Sequence, residues 1–264
     1  MRLKGGEKMR TWISVVLILL GLLFSLGGPS RAAQGPTAEE LVHGVDQLLR
    51  ADSNIMQIEM DVTTPDYQRT DVLKIYMKSE EKALIKLIAP AEGRGTGWLK
   101  LGDQLWMYIP SIDQLMKIPP SMMMQSFRGS TFSYDDLVKE SSIVRDYTSK
   151  IVSSESQDGR IVYLLELDPK PDAPVVYGKI LFWVREDFIP VKEEFYAEEG
   201  TALKVTNFRE IKEMGGRTIP TVWVTTDLLE KHHVTTLVII SAEFDVKIDP
   251  QVFTLKYLED PSKF

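Results

Sequence analysis

Between residues 54 and 246 the chain is largely a succession of short strand-like segments, alternating or apolar-rich, separated by turn residues at close spacing. Met56, Ile58, Met60 and Val62 alternate with Gln57, Glu59 and Asp61, the period of a strand with one wet face. Further strands are expected over residues 72–78, 82–88, 97–101, 104–109 and 114–118. A second series follows at 147–153, 160–167, 179–185, 191–196, 203–211, 218–226 and 233–246, with turns at Asp158-Gly159 and Gly215-Gly216. Parallel strands need crossovers of about a dozen residues or more, and these connections leave no room for them. The expected fold is mainly β, about a dozen antiparallel strands.

One hairpin sets its own register. In LKLGDQLW the pair Gly102-Asp103 reads as a two-residue turn, so Leu101 faces Gln104 and Leu99 faces Trp106. Leu99, Leu101, Trp106 and Tyr108 then share one surface, and Trp98, Lys100, Leu105 and Met107 share the other. The first surface is assigned inward. Pro119-Pro120 stops the sheet, and two short helices are expected beyond it, one in SMMMQSF and one starting near Ser133 with Asp135 and Asp136 in its first turn. Ahead of the strands, Thr37 and Glu40 form a capping box for an N-terminal helix. Its Leu41, Val42, Val45, Leu48 and Leu49 make an apolar stripe suited to lie on a sheet.

Arg2, Lys4, Lys8 and Arg10 precede an uncharged, mostly apolar run that ends at Gly27, Gly28 and Pro29. With Ser30 and Ala32 placed for cleavage, residues 1–32 read as a signal peptide cut near Ala32 or Ala33. Residues 33–264 read as a single periplasmic domain, because the KPDAP segment is too short to be more than a loop. The absence of cysteine excludes disulfides, thiolate metal sites and a lipid-modified cysteine, so no stable membrane anchor is expected. Removing residues 1–32 takes the formal charge from -7 to -11. No nucleic-acid partner is expected of so acidic a chain.

Residues suited to chemistry are sparse. His232 and His233 are adjacent near a strand start and point to opposite faces, and His43 is followed one turn later by Gln47, so no metal site is expected. The GRGTG run leads into a strand rather than a helix, which argues against a phosphate loop and for a flexible approach to a sheet edge. Pairs such as Asp135-Asp136, Glu193-Glu194 and Glu198-Glu199 fit turns, helix starts and solvated strand faces better than a hydrolase carboxylate pair. Met122, Met123, Met124, Phe127 and Phe132 are different. Flexible thioethers and aromatics on a segment of their own suit a variable apolar ligand, although core filling would use the same residues.

The segments GWLKLGDQLWMYIPS and RGSTFSYDDL, with KILFWVRED and VFTLKYL later, resemble the outer-membrane lipoprotein-sorting family of LolA-like periplasmic proteins. Thr131 stands where one branch of that family often has Asp. The resemblance implies an incomplete, half-open antiparallel β-barrel whose concave face is covered by helices and receives acyl chains. It puts Leu99, Trp106 and Tyr108 on the wall, and Met122, Met123, Phe127 and Phe132 on the cover. It also implies association with an RND/MMPL-type or ABC exporter.

The function expected is a periplasmic carrier that shields a lipid or lipoprotein acyl chain, with no cofactor and no catalytic residue. The alternative is an exporter-docking accessory protein that carries no lipid itself. A lipid or glycan hydrolase is a weaker rival. An outer-membrane barrel, suggested by Phe264, fails because Asp260 and Ser262 occupy positions that should face lipid.

Overall fold

The structure, a computed structural model, describes residues 35–79, 81–139, 143–173 and 175–260. The segment read as a signal peptide lies outside the described residues, and the compact unit runs from Pro36 onward. It opens with helix α1 (Ala38–Leu49), capped by Thr37 and Glu40. The Thr37 hydroxyl accepts from the Glu40 amide at 3.2 Å, and the Glu40 carboxylate accepts from the Thr37 amide at 2.8 Å.

Thirteen strands follow: β1 (Ser53–Thr63), β2 (Gln68–Lys78), β3 (Lys82–Ala89), β4 (Gly97–Leu101), β5 (Gln104–Ile109), β6 (Gln114–Lys117), β7 (Tyr147–Gln157), β8 (Arg160–Pro169), β9 (Lys179–Arg185), β10 (Pro190–Tyr196), β11 (Ala202–Met214), β12 (Arg217–Asp227) and β13 (Val234–Phe244). Each corresponds to a segment expected as a strand from the sequence. All pair antiparallel in one sheet that is not closed, in the order β6-β5-β4-β3-β2-β1-β13-β12-β11-β10-β9-β8-β7. The first and last strands therefore meet in the middle, through pairs such as Met60 with Leu237. The outermost strands are β6 and β7, so the connection between them must travel from one side of the sheet to the other.

That connection holds 3-10 turns at Pro120–Met122 and Phe127–Gly129, then helices α2 (Tyr134–Lys139) and α3 (Ile143–Asp146). The helix expected in SMMMQSF is absent from this segment. Pro119 and Pro120 limit its start, and Arg128 and Gly129 both adopt left-handed backbone, φ +52° and +70°, which ends any α-helical continuation. The helix expected from Ser133 is present as α2. Ser133 and Asp136 exchange backbone-to-side-chain hydrogen bonds of 2.7 and 3.1 Å, a second capping arrangement.

The β4–β5 register is as expected, Leu99 opposite Trp106 and Leu101 opposite Gln104. The inward assignment is not. Ile85 pairs with Trp98, which pairs with Met107, and this row faces the main core with Phe127 and Tyr134. Leu99, Trp106 and Tyr108 face the opposite side, where they pack with Ile248, Val252, Phe253 and Leu258. The cause is the C-terminal segment: a 3-10 turn (Pro250–Phe253) and helix α4 (Leu255–Glu259) cover the back of β3–β5. The sheet is apolar on both faces there, and β3 is buried along most of its length.

Two features show how closely α4 seats. A Cβ at Gly97 would fall 2.6 Å from Leu258 Cδ1, so only glycine admits the contact, and GRGTG leads into an interior strand rather than a sheet edge. Lys86 reaches past it, its ammonium donating to the Leu258 carbonyl at 2.5 Å near the end of α4. Burial lowers the Lys86 pKa to about 8, against the opposing pull of Asp260.

This packing makes Leu258, fully buried, a measurable support. Leu258→Ala is expected to lower stability by about 2–5 kcal/mol in urea unfolding. Ile240→Ala, at a site 47 % exposed, is expected to change it by no more than about 0.5 kcal/mol.

Candidate functional site

The inward face of the sheet curls around a cavity of about 260 Å³. One wall comes from the alternating residues of β1–β3, with Met56, Ile75 and Ile85 in a row through direct pairing. The other comes from β9–β13, including Ile180, Phe182, Phe208, Trp223 and Leu237. Val42, Val45 and Leu49 of α1 close one side, with the α1 stripe packed on Leu165, Leu167, Ile180 and Phe182. The β6–β7 connection, the lid, closes the other.

The residues expected at the site divide into three groups. Phe127 and Phe132 line the cavity. Met122 and Met123 pack beside it, against the main core. Leu99, Trp106 and Tyr108 lie behind the sheet, and the Tyr108 hydroxyl donates to Asp113 at 2.9 Å. The wall residues of β1–β3 were visible as an alternating pattern, but nothing in that pattern ranked them above the apolar faces of other strands.

Phe127 is the apolar anchor of the lid. It is 2 % exposed and meets Trp98 edge-on, with ring centroids 4.8 Å apart, and Tyr134 at 6.0 Å. Charged groups then define where the lid sits. Asp71, fully buried, points inward from β2, opposite Met60. The Arg128 guanidinium donates to both its oxygens, at 2.7 and 2.9 Å, and Arg69 donates a third bond at 3.0 Å. Arg69 also donates to the Arg128 carbonyl. Next in the chain, Gly129 turns its carbonyl outward to accept from Tyr67 Oη at 3.3 Å, facing His233 Nε2 at 3.1 Å. A Cβ at Gly129 would lie 2.1 Å from the Tyr67 hydroxyl, and its φ is positive, so the turn requires glycine. The Thr131 amide donates to the Thr235 hydroxyl at 2.9 Å.

The other end of the lid is held across the cavity. Lys204 on β11 donates to Asp136 at 2.9 Å, and Tyr177 donates to the same carboxylate at 2.6 Å. The Lys204 ammonium lies 4.9–5.4 Å from the ring centres of Phe132, Tyr177 and Phe195. Burial works to raise the Asp136 pKa. Lys204, the Tyr177 hydroxyl and the Ser133 amide outweigh it and hold the carboxyl below its usual range. Burial first, and then Asp136, push the Tyr177 hydroxyl far above the ordinary tyrosine value. Buried pairs of this kind contribute little net stability against an apolar replacement. Their effect is to specify one lid position.

The sequence pattern does not single out Asp71, Arg128 or Lys204, and it marks His233 only as a poor metal ligand. Arg128 and Asp136 fall inside RGSTFSYDDL, the quoted signature, while their partners sit in strands where a charged residue reads as solvated. Among the described residues lining the cavity there is no His, Ser or Cys. The lining is mostly apolar, with a few polar and charged groups among it.

A model of a family described as an uncharacterized protein matches residues 79–260. No curated protein matches the sequence. Among solved structures, a LolA superfamily protein from Nitrosomonas europaea is 25% identical, with 84% of this chain and 100% of that one covered and a TM-score of 0.71. A DUF1329 family protein from Desulfovibrio piger is 22% identical (85% and 100% covered, TM-score 0.76). A domain assigned as an outer membrane lipoprotein-sorting protein from Vibrio parahaemolyticus is 21% identical (84% and 98% covered, TM-score 0.73). The last two likenesses concern the fold alone.

The Asp136 geometry carries a pH dependence. A carboxyl whose pKa is lower folded than unfolded contributes stability at pH values above its unfolded value of about 3.9, and that contribution disappears as pH falls below it. Thermal unfolding of the wild type and of Asp136→Asn is therefore expected to differ most near neutral pH. The gap between their midpoints should narrow as pH drops below about 4.

Proposed function

The chain belongs to the family whose model spans residues 79–260, LolA-like in its fold, and we propose that it is a periplasmic carrier shielding a lipid or lipoprotein acyl chain from water. The observation that carries this reading is the apolar cavity under a lid that is itself part of the covering chain. The basic and then apolar N-terminal segment, read as an export signal, supports a periplasmic location. Among the described residues no helix is long and apolar enough to cross a membrane.

Binding by apolar burial needs no covalent step. Each methylene moved out of water contributes roughly 0.8 kcal/mol, so about eight give about 6 kcal/mol before ordering costs. That suits retention with reversible release. Entry of a chain requires Phe132, and in larger openings Phe127, to yield. The polar contacts of Asp71 and Asp136 let the lid return to the same place. An RND/MMPL-type or ABC exporter is the partner class we propose, and β7, an outermost strand exposed along most of its length, is where such a partner could add a strand.

Mass spectrometry of gently purified protein tests the carrier reading. Co-purifying phospholipid, another lipid or lipoprotein is expected. Ile75→Asp and Phe132→Asp, both on the cavity lining, should lower the lipid recovered per chain by roughly tenfold or more, with the circular dichroism of the sheet retained. Trp106→Asp should spare loading in chains that fold, because Trp106 faces the C-terminal cover. Finding no lipid where a known lipid carrier retains its cargo would sink the proposal. Co-purification with an exporter but without lipid would favour the docking alternative.

A further inference from the structure

The loop between β12 and β13 brings together three groups that the cavity does not use. Asp227, Glu230 and His233 each offer a ligand atom, all within 4.8 Å of one another. Glu230 Oε2 lies 3.0 Å from His233 Nδ1, and Asp227 Oδ2 lies 4.0 Å from the same nitrogen. Asp227 uses its other oxygen, Oδ1, to accept from the Leu229 and Glu230 amides at 2.7 and 2.8 Å, which orients the carboxylate. The adjacent His232 is exposed and takes no part.

A second observation, on the lid, indicates what the cluster is for. His233 is 8 % exposed, and its Nε2 is 3.1 Å from the Gly129 carbonyl. A carbonyl can only accept, so Nε2 carries the hydrogen. In the neutral ring, Nδ1 is then a lone pair, aimed from a buried side chain at two carboxylates. Acceptors facing one another at these distances are satisfied by a hydrogen or by a cation between them. A backbone carbonyl on the far ring nitrogen is also what fixes the tautomer of metal-bound histidines.

We propose that Asp227, Glu230 and His233 bind a divalent transition-metal ion, with Zn²⁺ the best match to one imidazole and two carboxylates. Donors roughly 2.1 Å from a tetrahedral ion lie about 3.4 Å apart, and the separations of 3.0 and 4.0 Å at Nδ1 bracket that value. Small movements of the Glu230 side chain, 73 % exposed, complete the set. The three donors leave the fourth position to water or to a ligand from outside. Because a metal on Nδ1 polarises the Nε2 hydrogen, the ion also strengthens the hold of His233 on Gly129 and so on the lid. The inference is independent of whether the cavity carries lipid.

Equilibrium dialysis of the purified full chain against Zn²⁺, with bound metal measured by mass spectrometry, tests it. One Zn²⁺ per chain is expected. Glu230→Gln, Asp227→Asn and His233→Gln should each weaken binding by at least the ~10–100-fold that loss of a supporting second-shell group costs. Glu230→Gln alters an exposed side chain, so it reports on the site even if His233→Gln fails to fold. No stoichiometric Zn²⁺ on the wild type would overturn the proposal, as would binding unchanged in Glu230→Gln and Asp227→Asn.

Discussion

The pairing of β1 with β13 is the constraint on which the rest of the structure depends. Once the ends of the strand series meet in the middle, β6 and β7 are forced to opposite limits of an open sheet. The chain then has to pass from one limit to the other. It does so across the inward face, so the cover of the cavity follows from the topology. The 3-10 turns and short helices of that passage reflect a segment that must bend over a curved apolar surface while satisfying its own backbone groups.

Burial and polar contacts divide the work of holding the lid. Phe127 against Trp98 and Tyr134 supplies the apolar attachment. Asp71 with Arg128, and Asp136 with Lys204, add direction, since a misplaced lid would leave a buried charge without its partner. A cover held this way has one defined position over the cavity. The same logic explains Gly129, whose carbonyl is reached by Tyr67 and His233 from the loops that adjoin β2 and β13, because no side chain stands in the way.

Much of the fold was legible because it is local. Period-two alternation marked β1, apolar-bearing runs between turn residues marked the other strands, and the Gly102-Asp103 turn dictated which residues of β4 and β5 face one another. The face assigned inward was the wrong one for a definite reason. Leu99 and Trp98 are both buried, one beneath α4 and one in the main core, so hydrophobicity carried no information about which side held the cavity. Phe127 and Phe132 fall on the cavity lining, on a segment that is neither a regular strand nor a long helix. Leu99, Trp106 and Tyr108 were misplaced because a C-terminal cover was not visible as one.

What the sequence alone determined is the set of strands, their antiparallel order along each meander, the hairpin register and the two capped helix starts. These depend on interactions among residues a few positions apart, which a linear pattern records. Only the tertiary structure decided which sheet face is inside, which acids and bases pair, and where the lid rests. Arg128 meets Asp71 across 57 residues, Lys204 meets Asp136 across 68, and His233 meets Gly129 across 104. Contacts of that span are set by how the sheet curls and where its two limits fall, which no local period encodes.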